Sequence, residues 1–148
     1  MHRREVIPLA LMYSEDREAV QGRTRFQKMV FLLQQQLETD SSISTYDFEA
    51  YDYGPFSKGL YDDLDDLIDR GLVEETREEF DEDKALYEYE LTEKGRDLAK
   101  RFEDLKETNQ VLNLSEELKD EFNQKDLSEV LDFVYSEYPE YTENSVLR

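Results

Sequence analysis

Cysteine is absent from the 148 residues, and histidine occurs once. The first absence excludes disulfides, thiolate metal sites and cysteine nucleophiles. The second removes any histidine-based acid–base pair or metal cluster, because His2 stands alone near the N-terminus. No Gly-rich phosphate loop, nucleophile elbow or zinc-ligand spacing occurs either. Adjacent acids such as Asp62-Asp63 and Asp65-Asp66 read as the solvated face of a helix rather than as catalytic dyads. We therefore expect a non-enzymatic protein with no metal and no cofactor. No apolar run approaches the length of a membrane span, and Met1-His2-Arg3-Arg4-Glu5 lacks the apolar core of a signal peptide. The expectation is a cytoplasmic protein without membrane contact.

Positive charge is also scarce, with 18 Lys and Arg against 38 Asp and Glu, for a net charge of −20. It is unevenly spread. Residues 1–36 hold Arg3, Arg4, Arg17, Arg23, Arg25 and Lys28 against Glu5, Glu15, Asp16 and Glu18, a net of +2 that leaves −22 for the remainder. Such acidity on an intact apolar pattern is expected of a protein from an extreme halophile, where near-molar salt shortens the Debye length to about 3 Å and screens self-repulsion. A disordered acidic chain would lack the strong helical periodicity seen here.

The best-defined stretch is 57–98. Leu60, Leu64, Leu67 and Ile68 form one apolar stripe of a helix from Ser57 to Arg70, and Gly71 stands where a C-cap tolerates positive φ. A charged hairpin follows, its tip at 80–84, its second strand carrying Tyr87, Tyr89 and Leu91 on one face. Thr92 is placed as N-cap of the next helix, which buries Leu98, Phe102 and Leu105. Helix, Gly-Leu-Val, charged hairpin and Leu-Thr-Glu-Lys-Gly-Arg together resemble winged-helix regulators of the MarR and PadR type.

Upstream, residues 5–14 read as an apolar helix with Pro8 in its first turn, and 14–22 as a polar loop. Thr24 with Gln27 reads as a capping box for a second helix that buries Phe26, Met29, Val30, Leu33 and Leu37 and exposes Arg25, Lys28, Gln35 and Gln36. A strand over 46–53 follows, broken by Gly54-Pro55, which opens the third helix. Downstream, 108–114 reads as a linker and Ser115 as the cap of a short helix. Asp126 with Glu129 reads as a second capping box, for a helix with Leu127, Val130, Leu131, Val134, Tyr135 and Tyr138 on one stripe. The residues after Tyr141 read as a tail. The expected fold is mainly α with a small β component: a winged helix-turn-helix domain over 1–107 with a two-stranded wing, and a helical extension over 108–148. That extension either packs on the core or forms the seam of a homodimer.

Gly22-Arg23, Gln27-Lys28 and Tyr53-Gly54-Pro55-Phe56-Ser57, with Tyr135-Ser-Glu-Tyr-Pro-Glu-Tyr141, resemble the YwgA-like group of small bacterial and archaeal proteins. The lysine of the second helix and the Tyr-Gly-Pro turn also resemble the Panacea (SocA-like) antitoxin domain. The first resemblance implies no settled activity. The second implies a protein-binding module, since such antitoxins act by binding toxins and some relatives are proteolytic adaptors.

Two functions follow. A winged-helix regulator would contact DNA through Arg23, Arg25, Lys28 and Lys58, because the usual recognition helix exposes Asp62, Asp63, Asp65, Asp66 and Asp69. The wing tip adds Glu78, Glu79, Asp81, Glu82 and Asp83, all repelling phosphate. The alternative is an antitoxin or adaptor that binds protein through a rigid patch of Tyr51, Tyr53 and Phe56. Those aromatics also fit a purely structural role, covering the core where strand meets third helix.

Overall fold

The computed structural model describes residues 3–37, 43–51, 54–81 and 84–141. The chain is mainly helical with two small antiparallel sheets, an α+β fold.

The first helix, α1 (Val6–Arg17), is apolar on every side from Val6 to Met12, so only a position inside the molecule satisfies it. It packs against four elements: α2 (Arg23–Gln35), α4 (Glu93–Lys100), α5 (Lys106–Phe122) and the strand β5 (Lys84–Leu91). It runs three residues beyond the expected end. The residues after it form a short strand, β1 (Val20–Gln21), rather than loop, with Val20 opposite Tyr89 and Gln21 opposite Glu88. The main sheet is therefore three-stranded, in the order β1-β5-β4, where β4 is Val73–Asp81. Of the expected hairpin tip, Glu82 and Asp83 lie outside the described residues.

The third helix, α3 (Lys58–Asp69), follows the sequence reading closely. Ser57 is its N-cap, with Oγ accepting from the Leu60 amide at 3.1 Å; Leu60, Leu64 and Leu67 are buried, and Gly71 beyond the end has φ 76°. Thr92 likewise caps α4, accepting from the Gly95 amide at 3.1 Å.

Elsewhere local signals are overruled. Gly54-Pro55 does not open α3. Gly54–Phe56 is a strand, β3, paired antiparallel with β2 (Glu49–Tyr51), Ala50 facing Pro55. Residues 108–114 are no linker, because α5 is one continuous helix, with Thr108 buried and its Oγ1 donating to the Phe102 carbonyl at 2.6 Å. Leu105, expected inside, is 65% exposed at the break before α5. Asp126 occupies the N-cap of α6 (Leu127–Glu137) but makes no side-chain cap bond. Asp63, expected on the acidic face of α3, is buried. It accepts from Arg4 Nε at 2.9 Å and from the Tyr46 hydroxyl at 2.8 Å.

The apolar stripe of α6 (Val130, Leu131, Val134, Tyr135) is buried, the helix lying against α2 and β3, and Val111, Leu112, Leu118 and Phe122 of α5 join the core built on α1. The C-terminal helices thus share the core of the preceding residues. No described helix is long and apolar enough to cross a membrane.

Candidate partner-binding site

Helix α2 decides the geometry. Its sequence suggests one apolar face, yet residues 25–33 are buried without interruption, because α5, α6 and β3 pack on the helix as well as α1. Arg25 and Lys28 are consequently interior residues, 7% and 2% exposed, while Gln35 and Gln36 are exposed as expected. This corrects the exposed cationic face read from the sequence. Arg25 donates from Nη1 to the Phe122 carbonyl at 3.0 Å, and burial lowers its pKa. Lys58 is 82% exposed at its side chain and pairs with Asp62, one turn along α3, at 2.9 Å.

Arg23, at the start of α2, binds three other elements together. Its Nε donates to the Tyr89 hydroxyl at 2.9 Å. Its Nη2 donates to Asp65 at 2.7 Å and Glu75 at 3.2 Å, and the guanidinium lies 4.4 Å over the Tyr61 ring. Burial works against its charge, but the bonds to Asp65 and Tyr89 outweigh that and raise its pKa. The Tyr89 hydroxyl in turn donates a hydrogen bond to Glu75 at 2.6 Å; burial and that bond raise the Tyr89 pKa.

Gln27, read as a capping partner, does something else. No side-chain bond caps α2; Gln27 donates from Nε2 to the Ser57 carbonyl at 2.9 Å and accepts the Ser57 amide at 3.0 Å. This two-bond clamp fixes the junction of β3 and α3 on α2. It brings Phe56 between Tyr51 and Tyr61, with ring centroids 5.2 and 6.2 Å away. Tyr51 is 52% exposed and Tyr61 40%.

Beneath this aromatic row lies a cleft of about 140 Å³ lined by Arg23, Gln27, Lys28, Tyr51, Phe56 and Tyr61, with Thr24 at its edge. A wider depression of about 440 Å³ adjoins it past Arg23, Thr24 and Tyr61, reaching Glu75, Tyr87 and Tyr89. Among the described residues Lys28 has no hydrogen-bond or ion-pair partner, and burial lowers its pKa to about 8. Its stem passes Gly54, where an added Cβ would lie 3.7 Å from Lys28 Cε and 3.0 Å from Tyr135 Cε1. A buried lysine, a positive-φ glycine and the C-terminal helix therefore meet at one point. A family model for the SocA-like antitoxin, Panacea domain, matches residues 26–147. The chain belongs to that family. No curated protein and no solved structure matches it. The Panacea segment takes in Lys28, Tyr51, Phe56 and Lys58, whereas Arg23 and Arg25 precede it.

Of the seven expected site residues, the cleft brings together Arg23, Lys28, Tyr51 and Phe56. Arg25 and Lys58 stand apart from it, and Tyr53 lies outside the described residues. Tyr61 and Gln27 were missed. Tyr61 stands at the edge of the α3 stripe, seven residues before Ile68, so the sequence left its exposure open. Gln27 stood in the Gln27-Lys28 motif, but its bonding partner, 30 residues away, could not be read from it.

Proposed function

We propose that this chain is a protein-binding module of the antitoxin type, engaging its partner through the cleft between α2, the β2–β3 hairpin and α3. The observation that carries this reading is the row of Tyr51, Phe56 and Tyr61, aromatic and partly exposed on a clamped backbone, above Lys28, which has no partner among the described residues. Aromatic side chains held rigid around a small pocket are the composition of interface hot spots, since they bury much area at little entropic cost. Membership of the SocA-like Panacea family supports the same direction. We read the scaffold as a winged helix, on the succession α1, β1, α2, α3, β4, β5 with β5 between its two partner strands.

The DNA-contacting alternative has less support. Arg25 and Lys28 are interior, Arg23 is neutralised by Asp65 and Glu75, and Asp62, Asp65, Asp66 and Asp69 line the exposed face of α3.

The test is co-expression with the product of the adjacent open reading frame. Growth arrest by the neighbour, relieved by the wild-type chain but not by Tyr51→Ala with Phe56→Ala, is the expected result. A harmless neighbour, or full rescue by the double variant, would count against it.

A further inference from the structure

Lys28 is 98% removed from solvent and has no acceptor among the described residues, a combination that protein interiors rarely tolerate, because a buried ammonium is stabilised by a counter-charge or a full set of hydrogen bonds. The second buried lysine shows the usual solution: Lys119 Nζ donates to the carbonyls of Ser14 at 3.0 Å and Met12 at 3.4 Å, at the C-terminal end of α1. Near Lys28 several polar groups are committed elsewhere: the Gln27 amide is held at both ends by Ser57, and the carboxylates of Asp65 and Glu75 are held by Arg23. Among the described residues none supplies the acceptor, and the open cleft beside the lysine leaves room for one from outside.

The size of the void narrows what that acceptor belongs to. Cavities that enclose whole ligands run to roughly 300–1,000 Å³; the cleft at Lys28 holds about 140 Å³, room for a single side chain, and the open depression of about 440 Å³ beside it leaves space for the segment that carries it. Its charge narrows it further. With Arg23 neutralised, the described residues of the site offer one uncompensated cation, which suits a monoanion, and a chain of net charge −20 repels a polyanion at long range. The walls are the rings of Tyr51, Phe56 and Tyr61, which fit the methylene stem of an acidic side chain as well as apolar neighbours in the same segment. We propose that the cleft receives an aspartate or glutamate side chain of the partner protein, its carboxylate paired with the Lys28 ammonium and its stem packed on the aromatic row. This rests on the protein-binding reading and states which chemistry that surface selects.

Random peptides displayed on phage, panned against the intact chain, test it. The recovered peptides should share an Asp or Glu beside an apolar residue. Lys28→Met should lose them while melting cooperatively, with Lys28→Gln in reserve should the Met variant fail to fold. In the best peptide, replacing the acid by its amide should weaken Kd at least about tenfold, the usual loss when a charge-assisted bond goes. Peptides with no common acid, or binding that survives both changes, would overturn the carboxylate assignment and leave the surface a protein-binding one. Failure to recover any peptide above the bare support would overturn both.

Discussion

Two lysines buried to the same degree have opposite roles, and residue-scale energetics separate them. Lys28 carries a desolvation cost that no described residue offsets. Its pKa of about 8 in the folded chain lies below the unfolded value of 10.5, a gap equivalent to about 3 kcal/mol at 1.36 kcal/mol per unit. Between those values the unfolded chain binds more protons at this site, so the cost is full below pH 8 and fades as pH rises through 10.5. Lys28→Met is therefore expected to stabilise the protein by up to about 3 kcal/mol at pH 7 in urea denaturation, and by much less at pH 10. Lys119→Met should do the reverse, removing the donor from two buried carbonyls at a loss of about 2–3 kcal/mol. A residue that destabilises the fold and yet lies at its cleft has a reason to be there other than the fold.

At the scale of elements, the β2–β3 hairpin is the part most dependent on a single backbone conformation. Gly54 has φ 92° and lies against Tyr135 of α6, so a side chain there meets both torsional strain and a close contact. Gly54→Ala should cost about 1–3 kcal/mol in chemical denaturation, and tilting the hairpin should weaken peptide binding as well. Gly95 in α4 answers to a tighter contact: an added Cβ would stand 2.1 Å from the Leu72 carbonyl oxygen, which already accepts the Thr92 amide. Both glycines stand out in the sequence, but what each must avoid is supplied by a distant residue. The caps Ser57 and Thr92 were legible because a cap and its helix are local. The strand Gly54–Phe56 was not, since Gly-Pro signals a break and only pairing with 49–51 makes it a strand.

Over the whole molecule, the charge of −20 works against compactness, and the fold uses several of the few cations as ties between elements: Arg4 to Asp63, Arg23 to Asp65 and Glu75, Arg70 to Glu5. Thermal melts in rising KCl should show Tm climbing steadily into the molar range, where the Debye length falls to about 3 Å. A flat response would contradict salt adaptation as the source of the acidity. The sequence by itself determined the α+β class, α3 with its stripe and caps, the strand carrying Tyr89 and the apolar character of α1, because each follows from periodicity or from a contact within a few residues. Only the tertiary structure decided that α2 is covered on both faces. Amphipathic spacing counts how many apolar residues a helix has, whereas the packing of α6 and the hairpin settles how many sides need them. That packing, together with α5 against Arg25, took Arg25 and Lys28 out of solvent and made the cleft.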